Sequence, residues 1–255
     1  PKTGVFGLYD LIGIDLMADV VKSLGDILPS DDAFHAVGKE NKTITSMIKN
    51  GFTGNKGKGG FYKTDPDGLL HTLQLVGHKG ENLPAYAVAR KDPPELAVRA
   101  AGASAQQKEP LAQILEGTTN QAKFCRRVLG RVLSYAASLI PAVTETPQDI
   151  DDAMKLGFNW QRGPFELIDA IGHRKMTELL EDAGLKFPDV LQLNQPFYKV
   201  DGSALTVRHA DTKYKPVSLP PGVIRFQMKR RTMTPILENE AASLFVLNGF
   251  AEGVN

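Results

Sequence analysis

Gly163-Pro-Phe-Glu-Leu-Ile-Asp-Ala-Ile-Gly172 decides the fold, because Gly4-Val-Phe-Gly-Leu-Tyr-Asp-Leu-Ile-Gly13 echoes it in kind and spacing. The Gly, Phe, Leu, Asp, Ile and closing Gly coincide at one constant offset. Two copies of a helix-opening motif predict two copies of one helical unit. The first copy stands at the start of the chain, so the first unit is expected to be truncated and the chain to be a piece of something longer. Pro1-Lys2-Thr3-Gly4, with no initiator Met and no signal-peptide layout, agrees with that expectation.

Working outward from the first copy, residues 4–28 are densely apolar and predict one or two buried helices. Gly13-Ile14-Asp15 is the place to split them, with Asp15 as a helix-starting cap. Residues 42–50 predict a short helix ended by Asn50-Gly51. A Gly/Lys loop, 51–60, leads to Phe61-Tyr62-Lys63. Leu69 to Val76 and Leu83 to Ala89 flank Gly77-His78-Lys79-Gly80 as a β-hairpin. Residues 89–118 read as a connector. The clearest helix runs over 119–140, where Cys125, Val128, Leu129, Val132, Leu133, Ala136 and Ile140 keep helical spacing. Thr146-Pro147 predicts a capped helix with Pro at its first position, running over Ile150 to Leu156 and ending at Gly157. A helix over Lys175 to Ala183 follows the second motif, then short strands at 197–200 and 205–209.

Composition narrows the function. A net charge of +1 on 255 residues argues against nucleic acid and anionic membrane surfaces as partners. One cysteine, Cys125, rules out an intrachain disulfide and fits the cytoplasm. No apolar run approaches the roughly 20 residues of a membrane span.

The chemistry-bearing candidates each have a plain structural alternative. Gly51 to Gly60 is a structural turn, or a cradle in which Lys56 or Lys58 meets a phosphate; it lacks the Gly-Lys-Ser/Thr entry into a helix of a nucleotide-binding kinase-like loop. His35, His71, His78, His173 and His209 stand in no metal-ligand spacing, so no metal is expected. Cys125 reads as a small buried hydrophobe. Glu166 and Asp169 read as first-turn acids or caps, with a binding or domain contact as the alternative. Trp160, Phe158 and Phe165 suggest an aromatic knot between two helices. Arg225, Lys229, Arg230 and Arg231 form a solvated basic face or a docking patch.

The stretch Ile150-Asp151-Asp152-Ala153-Met154-Lys155-Leu156-Gly157 through Gly163-Pro164-Phe165-Glu166-Leu167-Ile168-Asp169 resembles the C-terminal domain of the 3-hydroxyacyl-CoA dehydrogenases. Thr53-Gly54-Asn55-Lys56-Gly57-Lys58-Gly59-Gly60-Phe61-Tyr62 resembles the loop that closes the first copy in that family. The resemblance covers about 4–64 and 118–190. It implies the central or C-terminal part of a multifunctional fatty acid β-oxidation protein, with NAD as cofactor of the parent and none held by this piece. It further implies an acyl-CoA substrate, an upstream dinucleotide-binding domain, a homo-oligomer, and a wall of the acyl-CoA cleft. The family's catalytic His–Glu pair and NAD site belong to that upstream domain, so no catalytic or cofactor-binding residue is assigned here. Glu238-Asn239-Glu240-Ala241-Ala242-Ser243-Leu244 resembles the lead-in to an enoyl-CoA hydratase domain. Val5 and Gly7 depart from the Pro and Glu at 164 and 166.

The expected architecture is mainly α, with two homologous helical units and a small β-hairpin between them. The first, truncated unit covers 1–65, the hairpin and linker 66–117, the second unit 118–195, and an irregular tail 196–255. Substrate-binding is assigned to Lys56 and Lys58, and the structural motif to Gly163, Pro164, Phe165 and Asp169. Two functions compete. One is a dehydrogenase portion that is inactive alone; the other is a non-catalytic helical dimerisation or scaffold module.

Overall fold

The computed structural model describes residues 4–74, 85–89, 115–202, 204–221, 223, 232–239 and 243–246. The chain forms two compact units, Pro1–Pro93 and Pro94–Asn255. Among the described residues helices dominate and every sheet is small and antiparallel, so the chain is mainly α.

The first unit opens with α1 (Val5–Ile12) and α2 (Ile14–Ile27), split at Gly13. Gly13 adopts φ +114° and its N–H closes α1 on the Tyr9 carbonyl at 2.8 Å. The predicted division is therefore observed, but the cap is not: Asp15 lies in the first turn of α2 and pairs with Lys56 instead. Helix α3 (Lys42–Lys49) is capped by Asn41, whose side chain accepts from Thr43 and Ile44 N–H. Strands β1 (Tyr62–Thr64), β2 (Leu70–Leu73) and β3 (Tyr86–Val88) form one sheet with β2 central. The hairpin strands pair as expected, although their turn lies outside the described residues. Sequence reading did not find that Tyr62 pairs with Thr72 to add the third strand.

Ile14, Met47, Phe61 and Leu73 make the small core of this unit. The two leading helices are not buried as their apolar density suggested. Asp10 is the one buried residue of α1, while Val5, Leu11 and Leu16 are exposed. One face meets the sheet and α3; the rest of the apolar surface meets no described element of this unit.

The second unit begins with the long helix α4 (Asn120–Ser138), capped by Thr119. Helices α5 (Pro147–Phe158), α6 (Pro164–Ile171) and α7 (His173–Asp182) follow. Thr146 caps α5 and Pro147 opens it, as predicted. The helix does not stop at Gly157. It continues to Phe158 and is closed by Asn159 at φ 54°, a left-handed position that an asparagine tolerates. Along α4, Leu133, Ala136 and Ala137 are buried, and Gly130 lets the Leu179 carbonyl approach. Val128 and Val132, placed on the same stripe by sequence, are exposed.

Strands β4 (Tyr198–Asp201), β5 (Ala204–Arg208) and β6 (Tyr214–Pro216) form a sheet with β5 central. Phe197, Tyr198, Leu205 and Val207 join Phe165, Ile168, Met176 and Leu179 in one core, so packing runs on past residue 195. The aromatic knot differs from the expected one. Phe165 packs edge-on against Phe197 at 4.7 Å, while Phe158 is exposed. Strands β7 (Leu237–Glu238) and β8 (Ser243–Leu244) form a short ribbon. Arg225, Lys229, Arg230, Arg231 and most of the 89–118 connector lie outside the described residues.

Candidate functional site

The echoed motifs do the same job in both units. In the second unit the Asp169 carboxylate accepts from Phe197 N–H at 2.7 Å and Tyr198 N–H at 2.8 Å. In the first, the Asp10 carboxylate accepts from Phe61 N–H and Tyr62 N–H, both at 2.8 Å. Each aspartate thus clamps a helix to the Phe-Tyr pair that opens a strand. The rings repeat as well: Phe6 lies 4.6 Å from Phe61, as Phe165 lies 4.7 Å from Phe197. The next strand closes the likeness, with Leu73 N–H on the Phe61 carbonyl and Arg208 N–H on the Phe197 carbonyl, each at 2.8 Å. Asp169 is therefore no first-turn acid. It sits in the second turn of α6 and reaches the sheet.

Glu166 does sit in the first turn, and accepts from Gly163 N–H at 3.0 Å, as a cap should. Beside it lies a buried polar junction. Asp151, on α5, is fully buried and accepts from Phe165 N–H at 2.8 Å, Glu166 N–H at 3.2 Å and the Tyr198 hydroxyl at 2.8 Å. Three elements, α5, α6 and β4, meet on this carboxyl. Burial outweighs those donors and pushes Asp151 up to about 7. The Tyr198 phenol, buried against Asp151, is pushed well above its ordinary range. Lys155 lies 3.4 Å from Glu166 and 3.3 Å from Asp152, bridging two carboxylates. Gln148 ties the junction to Ser218 through both its amide oxygen and nitrogen.

The Gly/Lys loop wraps the end of α1. A side chain on Gly60 would collide with the Asp10 carboxylate, and one on Gly54, at φ +95°, with the Asp10 carbonyl. Asn55 N–H bonds that same carbonyl at 2.9 Å. Gly54 and Gly60 thus let the loop backbone approach Asp10. Lys56 turns back to Asp15 at 2.7 Å, and the stem of Lys58 lies along Gly51. Burial raises Asp10, and the Tyr86 phenol beside it is pushed up to about 12.

The remaining candidates are quickly placed. Cys125 is half-buried against the second core. His71 pairs with Asp65 at 3.0 Å on the first sheet. Among the described residues no group of three or more His, Cys, Asp or Glu is placed to hold a metal ion. Asp151 and Tyr198 as a buried pair escaped sequence reading, because their separation of 47 residues leaves no local signal.

Residues 124–204 match the family described as 3-hydroxyacyl-CoA dehydrogenase, C-terminal domain. The "Putative fatty acid oxidation complex trifunctional enzyme" of Rickettsia felis is 30% identical over 203 residues, covering 79% of this chain and 26% of that protein. The protein of the same name in Rickettsia prowazekii is 33% identical over 185 residues, 72% of this chain and 24% of its own length. The "Probable 3-hydroxyacyl-CoA dehydrogenase" of Bacillus subtilis is 28% identical over 253 residues, 97% of this chain and 30% of that protein. The chain thus spans less than a third of the length of these curated relatives. No solved structure matches it.

Proposed function

Residues 124–204 belong to the 3-hydroxyacyl-CoA dehydrogenase C-terminal domain family, and from that membership we propose that the chain is the helical part of an NAD-dependent 3-hydroxyacyl-CoA dehydrogenase of fatty acid β-oxidation. Its two units are two copies of one helical module. The twin carboxylate clamp, Asp10 on Phe61-Tyr62 and Asp169 on Phe197-Tyr198, is the observation that supports this. In this reading the modules wall one side of an acyl-CoA cleft and dock against a dinucleotide-binding domain within a cytoplasmic homo-oligomer. Sites between domains are built this way.

Oxidising a 3-hydroxyl needs a base for its proton and an acceptor for its hydride. NAD supplies the acceptor, but the described residues do not fit it. A dinucleotide cradle needs a strand, a glycine turn and a helix whose N-terminus faces the pyrophosphate. Here Gly57 to Gly60 run into β1, and among the described residues every strand pair is antiparallel. No step of hydride transfer is assigned to these residues, and the chain alone is expected to be inactive.

Lys56 and Lys58 are the proposed contacts for an acyl-CoA phosphate. Lys56 is half exposed and held by Asp15, so Lys58 is the freer of the two. Calorimetric titration with acetoacetyl-CoA should show saturable binding that weakens when both lysines become Ala. NADH added to the same mixture should persist; its steady loss would show the chain to be active alone. Absence of acyl-CoA binding together with self-association in light scattering would favour the scaffold module, which the exposed apolar residues of α1 and α2 also suit.

A further inference from the structure

The two units agree beyond the carboxylate clamp. Phe61-Tyr62-Lys63 leads into β1 as Phe197-Tyr198-Lys199 leads into β4. Their sheets share a register: Leu73 pairs with Tyr86 across β2 and β3, and Arg208 pairs with Tyr214 across β5 and β6. The third strand of each sheet therefore brings a tyrosine to the same place. Tyr86 donates its phenol proton to the Gly60 carbonyl, and Tyr214 donates to the Pro196 carbonyl, both at 2.5 Å. Gly60 and Pro196 stand directly ahead of the two phenylalanines. The lysines repeat as well, with Lys63 Nζ 6.0 Å from the Tyr86 ring and Lys199 Nζ 3.9 Å from the Tyr214 ring.

What each tyrosine holds is different. Ahead of Phe197 stands Asn194-Gln195-Pro196, without a glycine or a lysine. Ahead of Phe61 stands the Gly/Lys loop, and Tyr86 touches both of its ends. The Tyr86 ring lies 6.1 Å from the ring of Phe52, where the loop begins. Its hydroxyl bonds the Gly60 carbonyl, where the loop ends, and lies 3.4 Å from the place a Cβ on Gly59 would take. Between those ends the loop folds on itself: Gly54 N–H bonds the Gly59 carbonyl at 2.9 Å, and Lys58 N–H bonds the Gly51 carbonyl at 3.0 Å. Lys58 thus belongs to a small closed frame whose mouth is held by one side chain from another strand. Glycine-rich backbone has the most freedom to lose, so a clasp across its ends has the most order to supply.

We propose that Tyr86 is a positioning residue for acyl-CoA: by clasping both ends of the Gly/Lys loop it fixes the place from which Lys58 meets a phosphate. This rests on the reading of Lys56 and Lys58 as phosphate contacts. Tyr214 makes the same bond in a unit without that loop, so it has no part in binding and serves as the control. The clasp and the carboxylate act on opposite sides of one peptide, since Asp10 accepts from Phe61 N–H while Tyr86 donates to the Gly60 carbonyl. Tyr86 therefore adds to the Asp10 clamp rather than duplicating it.

The test titrates acetoacetyl-CoA into the full chain by calorimetry, with Tyr86→Phe, Tyr214→Phe, Lys58→Ala and the double variant Tyr86→Phe/Lys58→Ala beside it. Thermal unfolding checks that each is folded. Tyr86→Phe should weaken binding by at least about threefold, and Tyr214→Phe should leave it unchanged. On the Lys58→Ala background Tyr86→Phe should add little, because the ammonium it positions is gone; a purely structural tyrosine would add its full loss. Amide exchange at Gly54, Gly57 and Lys58 should quicken in Tyr86→Phe and not in Tyr214→Phe. Should Tyr86→Phe not fold, Phe52→Leu, which removes the ring contact at the other end of the loop, carries the same expectation. Unchanged binding in Tyr86→Phe overturns the inference, as does an equal loss from Tyr214→Phe or full additivity in the double variant. Absence of binding by the unaltered chain is a separate result: it sinks the lysine reading itself, and the inference with it.

Discussion

Asp151 sets the pH response of the second unit. Its carboxyl sits at about 7 in the folded chain and near 4 when unfolded. Between those values the folded state holds a proton that the unfolded state has released. Stability therefore falls as pH rises from about 4 to about 7, and is flat with respect to this group outside that window. The charged and titratable groups that act on it from α5, α6 and β4 are Lys155, Glu166 and Tyr198. Denaturant midpoints for Asp151→Asn should lose that slope. Tyr198→Phe removes one donor from a buried carboxyl and should cost about 1–3 kcal/mol at neutral pH, read from urea unfolding. Asp169→Ala strands two strand N–H groups and should cost about 2–4 kcal/mol in the second unit. The two clamps differ at one neighbour: Leu73 in the first unit is replaced by the buried Arg208, which stacks on Phe197 at 4.5 Å and bonds the Val190 carbonyl. Burial depresses the Arg208 guanidinium. Because leucine serves at the matching position, Arg208→Leu should be tolerated better than Asp169→Ala, as thermal unfolding of the two variants will show.

At the scale of elements, sequence reading succeeded where the signal is local. Thr146-Pro147 announces α5 through a hydroxyl and a missing N–H, and both act as expected. Thr146→Ala should cost about 0.5–2 kcal/mol, measurable by chemical unfolding. The motif that opens α1 and α6 was legible for the same reason. Its purpose was not, since the clamp's partners are backbone N–H groups, which leave no mark in a sequence, at separations of 51 and 28 residues. Of the two readings left open for Asp169, the contact with another element is the observed one: five residues after Pro164 it stands in the second turn of α6, beyond the cap that Glu166 makes. The end of α5 was misplaced by two residues because Asn159 served where a glycine was expected. Of the Gly/Lys loop, the turn was legible from its glycines, but the reason for Gly54 and Gly60 is the nearness of Asp10, which only the fold supplies.

At the scale of the molecule, two cores of unequal size divide the stability. Among the described residues the first gathers four buried apolar residues and the second fifteen, so the first unit should be the first to open. In differential scanning calorimetry Asp10→Ala should lower the earlier transition and leave the later one in place, while Asp169→Ala does the reverse. A single transition shifted equally by both would mean that the units melt as one. The paired clamps also bear on the order in which the chain assembles. Asp169 closes a loop of 28 residues, and Asp10 one of 51. Closing the longer loop forfeits about 0.5 kcal/mol more chain entropy. With the larger core waiting behind the shorter loop, the second unit is expected to reach its folding transition state sooner. The chain would then ripen from its C-terminal half, the opposite of the order in which a ribosome delivers it.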